Sequence, residues 1–329
     1  MYSKVAMIAI VGRPNVGKST LTNILTGEKV AIVTPKPQTT RNRIFGVFSH
    51  EQTQFVLLDT PGFHQARTRL GEYMVGVIKE SVADVDAAAL IVEPIDNVGI
   101  QEDLLIEHIS KSGVPAVLVI NKIDKVKVDQ LLPIIERYSQ RYQFEAVIPI
   151  SAKTGDGVPL LIEAFEKYAK DGHQLFPDDM ATDQPEKQII AEIIREKLLI
   201  CLDHEIPHGT AVEITKFLER DFEGSGEEGA GAKAPELRID NGELRIGDEG
   251  DGDVPGIIDI DATIYCEKKS HKGMIIGKNG AMLKKVGQLS RVDIERFMGA
   301  KVFLQTWVKV KENWRDNRAM IRNFGYTRE

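Results

Sequence analysis

Apolar and polar positions along this chain follow two different rhythms. In the first half, apolar runs alternate with stretches of helical spacing. Val5–Val11, Asp86–Val92 and Pro115–Ile120 are apolar almost throughout, as strands buried on both faces of a parallel sheet must be. Arg43–Phe48, Gln54–Leu58 and Ala146–Ile150 read as three further strands. Helical periodicity starts at Thr20 and recurs over Leu70–Val82, Glu102–Ser110, Gln130–Tyr142 and Val158–Lys170. Strands alternating with helices predict an α/β fold with a doubly wound sheet over residues 1–172. Thr34–Arg41 and residues 63–69 read as exposed loops, the second mobile.

In the second half the period changes. Asp171–Gln188, with Pro177, Asp178, Asp179, Asp183 and Pro185, lacks periodicity and reads as a linker, centred on residues 173–188. Ile189–Leu199 is helical, with Glu192 and Glu196 on one face. Thr210–Phe217 and Ile257–Tyr265 alternate as half-buried strands do, Ala281–Phe297 is helical, and Val302–Val310 is a last strand. Residues 223–256 split the first two of these strands. Nine glycines and ten acids against three bases predict a flexible, solvated insertion there, with a hairpin about Asn241-Gly242. Asn313–Gly325 reads as a helix carrying Arg315, Arg318 and Arg322 on one face.

Length and charge sharpen this division. A chain of 329 residues accommodates two domains, and no apolar run reaches the ~18 residues of a membrane-spanning helix. Met1–Lys4 leads directly into the first strand, which predicts a cytosolic protein without a leader peptide. Cys201 and Cys266 lack metal-ligand spacing and read as reduced structural residues. The net charge of −7 conceals a basic tail, since residues 257–329 carry fifteen Lys or Arg against eight acids. Such a module on an acidic chain points to a polyanionic partner for that module alone.

The candidate chemistry lies at the strand ends. Gly12-Arg13-Pro14-Asn15-Val16-Gly17-Lys18-Ser19 fits the phosphate-cradling loop G-x-x-x-x-G-K-[ST], between a buried strand and a helix start. Asp59-Thr60-Pro61-Gly62 follows a later strand, where an acid can hold Mg²⁺ through water and the Gly62 N–H can face a γ-phosphate. Asn121-Lys122-Ile123-Asp124 ends another strand. The Asp124 carboxylate can accept from guanine N1–H and N2–H₂, donors that adenine lacks, while Asn121 and Lys122 brace the loop. In Ser151-Ala152-Lys153, the Ala152 N–H is placed for guanine O6.

These loops, taken in order, resemble the Ras-like GTPase domain, a P-loop fold. With Gln38-Thr39-Thr40-Arg41 and Asp59–Phe63 they resemble, more narrowly, the Era-type translation-factor GTPases. The resemblance implies GTP and GDP as ligands and Mg²⁺ held by Ser19, Asp59 and a switch threonine, Thr40 with Thr39 as the close alternative. It places Lys18, Thr40, Gly62 and Asn15 at the reaction centre, with Lys18 on the β- and γ-phosphates. Phe63 stands where Ras has a water-orienting Gln, so intrinsic hydrolysis is expected to be slow. In related GTPases an Asn at the position of Asn15 helps bind potassium, which makes K⁺ a candidate second cofactor.

The basic tail has the element order of a KH domain of the bacterial type, an α+β type II KH fold over residues 189–329. Gly277-Lys278-Asn279-Gly280 resembles its nucleic-acid clamp, where two glycines let the backbone approach a sugar–phosphate chain. Lys268, Lys269, Lys272, Lys284 and Lys285 flank that turn, and Met274, Ile275 and Ile276 offer a floor for unstacked bases. Single-stranded RNA is the expected ligand, and DNA is not. Trp307 lies mid-strand and reads as core. As a whole the chain resembles Era-type proteins, which implies binding to the 3′ end of small-subunit rRNA, a role in 30S assembly and peripheral membrane contact. The alternative is an RNA-binding scaffold that holds guanine nucleotide with negligible turnover.

Overall fold

The structure is a computed structural model. It describes residues 2–63, 68–203, 206–220, 237–240, 243–246 and 257–326, without side chains for 237–246. Most of the 63–69 loop and most of the 223–256 insertion therefore lie outside the described residues.

The first half runs β1 (Lys4–Gly12), α1 (Lys18–Thr26), β2 (Ile44–His50), β3 (Thr53–Asp59), α2 (Arg69–Ala83), β4 (Ala87–Val92), α3 (Ile100–Ser112), β5 (Ala116–Ile120), α4 (Leu131–Ser139), β6 (Ala146–Pro149), α5 (Val158–Glu166) and β7 (Lys170–Asp171). The main sheet has the order β2-β3-β1-β4-β5-β6. Its pairings are parallel except β2 with β3, whose hairpin forms one edge, and the short β7, which pairs antiparallel with β1. The continuous apolar runs are explained by burial on both faces, with β3 and β4 buried at every position. One face packs on α1 and α5 through Leu21, Leu25, Leu161 and Phe165. The other packs on α2, α3 and α4 through Ile78, Leu105, Ile109, Ile134 and Tyr138. Helix α5 stops four residues short of its expected end, because Lys170 and Asp171 pair with Val5 and Lys4 of β1.

The stretch read as a linker is not loose. The buried Gln54 side chain donates to the Phe176 carbonyl (2.8 Å) and accepts from the Leu175 and Phe176 N–H groups (2.8 and 3.0 Å). Val47 N–H donates to Ala181 O at 2.8 Å, so the segment caps the free edge of β2.

The second half runs α6 (Glu186–Cys201), β8 (Ala211–Arg220), β9 (Leu237–Asp240), β10 (Glu243–Ile246), β11 (Ile257–Cys266), α7 (Lys269–Ile276), α8 (Ala281–Met298), β12 (Lys301–Val310) and α9 (Arg318–Asn323). A sheet of order β12-β11-β8 has β11 parallel to β12 and antiparallel to β8. One of its faces carries α6, α7 and α8 around Ile194, Leu198, Ile260, Ile275 and Val286. Strands β9 and β10 pair as the expected hairpin inside the insertion. Cys201 is half-buried and Cys266 buried, and neither is in a disulfide.

Two expectations are corrected. Trp307 is not core but 43% exposed, because β12 turns Phe303, Gln305, Trp307 and Lys309 away from the helices. The C-terminal segment is no single basic helix: it breaks at Asn317, and Arg315 is spent on an ion pair with Glu267 at 2.5 Å. Its apolar side docks on the first half. Leu70, Tyr73, Met74 and Val77 of α2 form one cluster with Ala211, Tyr265, Trp314, Ile321, Phe324 and Tyr326.

Candidate functional site

The phosphate loop is built by close approaches that only glycine permits. A Cβ at Gly12 would strike the Ile91 carbonyl, and one at Gly17, whose φ is 103°, would strike the Asn121 amide. Lys18, only 5% exposed, donates to the Gly12 and Arg13 carbonyls at 3.1 and 2.9 Å. Burial lowers its pKa to about 8, while the nearby Asp59 charge opposes the shift.

Behind the loop three oxygen groups meet. The Ser19 hydroxyl donates to Asp59 Oδ2 at 2.6 Å and lies 2.8 Å from the Thr40 hydroxyl. Asp59 is fully buried, and burial raises its pKa to about 6 against the pull of Lys18. Its Oδ1 has no hydrogen-bond partner among the described residues. Two hydroxyls and a buried carboxylate with an unused oxygen match the oxygen chemistry of Mg²⁺. Thr39 instead bonds the Thr34 hydroxyl (2.7 Å) and the Lys36 carbonyl (2.6 Å), so of the two switch threonines the structure brings Thr40 to Ser19.

A cavity of about 390 Å³ opens here, lined by Pro14, Asn15, Gly17 to Thr20, Ile32 to Pro35, Gln38 to Thr40, Gly62 and Lys122. Gly62 lies over Pro14, where a Cβ would come within 2.6 Å of the Pro14 Cα. Thr60 donates to Ile10 O at 2.8 Å, and Phe63 N–H to Gly12 O at 3.1 Å, so Asp59–Phe63 is stitched to β1. Phe63, half-buried, packs against the core beside α2 and α3, and Ile123 packs against the same cluster. The Asn15 amide donates to the Pro35 carbonyl at 2.6 Å.

The base-reading loops form one bonded group. Buried Asn121 donates to Val16 O (2.8 Å) and accepts from the Lys122 and Ala152 N–H groups (2.8 and 2.9 Å). The Ala152 N–H is therefore turned inward, not outward toward a base as the tripeptide suggests. Asp124 is exposed and accepts from the Ser151 hydroxyl at 2.8 Å. Lys122 donates to Asn15 O at 2.5 Å and pairs with Glu93. The Arg13 side chain leaves the cavity to pair with the buried Glu102 at the start of α3. Lys153 is exposed.

On the basic module, Gly277 and Gly280 have φ of 73° and 77°, and Asn279 between them 52°. The turn opens onto a groove of about 320 Å³, lined by Gly280, Leu283, Lys284, Gly287, Gln288 and Arg291 on α8 and by Leu304 and Thr306 on β12. Lys278 and Asn279 stand exposed at its mouth. Ile275 is wholly buried under α7 and offers no floor, Ile276 packs against the same core, and Met274 is 53% exposed outside the groove lining. Lys268, Lys269, Lys272 and Lys285 also lie outside that lining. Leu283, Gly287 and Arg291 were readable as a helical stripe running on from Gly280, but Leu304 and Thr306 carried no such signal.

Comparison with known proteins agrees with this geometry. A family model described as a 50S ribosome-binding GTPase matches residues 7–122, and a KH domain model matches residues 246–315. GTPase Era of Ruminiclostridium cellulolyticum is 45% identical over 326 residues, spanning 99% of this chain and 98% of its own. The chain belongs to the Era GTPase family. Era of Clostridioides difficile is 44% identical over 98% of both chains. A crystal structure of Era with MgGDPNP and nucleotides 1506–1542 of 16S rRNA superposes with a TM-score of 0.85 at 33% identity, covering 99% of this chain and all of that one. A variant of Aquifex aeolicus Era bound to GDP and tetrafluoroaluminate gives 0.84, also at 33% identity and with the same coverage. As an Era-family member the chain is a GTPase joined to a KH RNA-binding domain, which removes the scaffold alternative.

Proposed function

We propose that this chain binds GTP with Mg²⁺ in the cavity beside Lys18, hydrolyses it slowly, and uses the bound nucleotide to time the capture of the single-stranded 3′ end of small-subunit rRNA during 30S assembly. The meeting of Ser19, Thr40 and Asp59 behind the phosphate loop carries the nucleotide half of this reading. Ser19, Thr40 and Asp59 would hold Mg²⁺, which supplies charge to the β- and γ-phosphate oxygens. The Gly12–Ser19 backbone cradles those phosphates, and the Lys18 ammonium moves from the loop carbonyls onto them. Asp124 reads guanine, with Asn121, Lys122, Ser151 and Ala152 bracing it. Gly62 covers the γ-phosphate side. With an apolar Phe63 packed against the core, no side chain there orients the attacking water, which makes turnover slow. Asn15 lines the cavity, and its amide oxygen is the group that would hold K⁺ there. Equal turnover in KCl and NaCl, with Asn15→Ala as control, would remove potassium from the account.

The RNA half rests on the groove beside Gly280 and on the Era–rRNA complex that the chain matches over its length. That complex holds 16S RNA, which favours the small subunit over the large subunit in the family model's description. Among the described residues no helix is long and apolar enough to cross a membrane. The test is crosslinking to cellular RNA and sequencing the adducts. Enrichment at the 3′ end of small-subunit rRNA is expected, and its absence contradicts the assignment.

A further inference from the structure

We propose that the KH module contributes a positioning residue to GTP hydrolysis: Arg195 of α6, which holds the main chain at Thr39 and thereby places Thr40. Arg195 is 0% exposed. Its Nε donates to Glu192 Oε1 at 2.8 Å, and its Nη2 donates to Glu192 Oε2 and to the Thr39 carbonyl. Its Nη1 has no partner among the described residues. The next residue, Glu196, accepts the Val33 N–H on its Oε1 at 3.0 Å. On the other side of Thr40, Arg41 runs the opposite way into the KH module. Its guanidinium, 1% exposed, donates to the carbonyls of Thr210 and His208 (2.8 and 2.9 Å) and to the Tyr326 hydroxyl (3.1 Å), and lies 5.7 Å from the ring centres of Trp314 and Tyr326. Thr40 thus sits between two buried arginines, one arriving from the KH module and one leaving for it.

Stability alone is a poor account of this arrangement. Burial costs both guanidiniums desolvation that apolar side chains would avoid; Glu192 and Glu196 outweigh it at Arg195, but at Arg41 desolvation prevails. A guanidinium does offer a rigid donor fork that fixes a backbone carbonyl in place. The group fixed is the peptide next to the hydroxyl that stands 2.8 Å from Ser19. A displacement of about 1 Å there costs catalysis far more than it costs binding.

The inference rests on Thr40 being the Mg²⁺ threonine, and the experiment keeps the two apart. In the full chain, Arg195→Ala should lower kcat about tenfold or more while KM for GTP stays within about twofold. It should raise the Mg²⁺ needed for half-maximal turnover. With a non-hydrolysable GTP analogue bound, trypsin should cut faster after Arg41. Arg195→Lys, which keeps a donor for the Thr39 carbonyl, should recover part of each effect. If all three readouts match the unsubstituted protein, the proposal is overturned. Should Arg195→Ala not fold, Glu192→Gln serves in its place by unseating the guanidinium: the same directions support the proposal and no change overturns it. Intact turnover in Thr40→Ala would instead overturn the reading of Thr40. Loss in Thr40→Ala with none in Arg195→Ala overturns the positioning role alone.

Discussion

Lys18 and Asp59 face each other in a site where both are charged at a cost. Burial lowers Lys18 to about 8 and raises Asp59 to about 6. The folded chain holds the Asp59 proton up to about pH 6, the unfolded chain only to about 3.8. The nucleotide-free fold therefore loses stability as pH rises through that window. Mg²⁺ needs the ionised carboxylate. The Mg²⁺ concentration that retains bound GDP should rise about tenfold per unit below pH 6, measured as GDP release across a Mg²⁺ series. A flat profile would place the metal elsewhere. Lys18→Ala removes charge-assisted bonds to two phosphates and should weaken GTP binding about 10²-fold, read by titration with a fluorescent GTP. Lys18, Ser19 and Asp59 were legible because their spacing is local to a strand and the loop that follows it. Arg41 and Arg195 were not: each looks like a solvated charge until a partner some 150 residues away is placed beside it.

Elements show the same limit. Fully apolar runs located β1, β4 and β5, since a strand buried on both faces leaves no other pattern. Trp307 was misread because its strand has only one buried face, and alternation does not say which. The segment 173–188 has no periodicity because it docks through Gln54 and backbone groups rather than an apolar stripe. Gln54→Ala should destabilise the chain by about 1–3 kcal/mol, seen in denaturant unfolding, because it removes the three hydrogen bonds that tie residues 175–176 to β3. At the clamp the two glycines should separate. A Cβ at Gly277 would meet Met282 at 2.7 Å on a backbone of positive φ, whereas Gly280 has open space around it. Gly277→Ala should lower the melting temperature clearly, and Gly280→Ala by only about 1 kcal/mol equivalent. Equal effects would mean that the turn is not tightly packed.

In the whole molecule, the loop between α1 and β2 joins the cavity to the KH module. Residues 29–42 line the cavity on one side and bond the KH module on the other through Lys29, Val33, Lys36, Thr39 and Arg41. Helix α2, which follows the Asp59–Gly62 loop, packs on Trp314 and Phe324. The cavity-lining loop and the helix that follows Gly62 therefore both touch the module that carries Gly277–Gly280, which would give a bound nucleotide a direct physical route to it. The most direct measurement is the affinity of the full chain for an oligonucleotide of the small-subunit rRNA 3′ end with a GTP analogue and Mg²⁺, with GDP and Mg²⁺, and with no nucleotide. The account predicts clearly tighter binding with the analogue, lost when Lys278 and Asn279 are both changed to Asp. Equal affinity in the three states would contradict it.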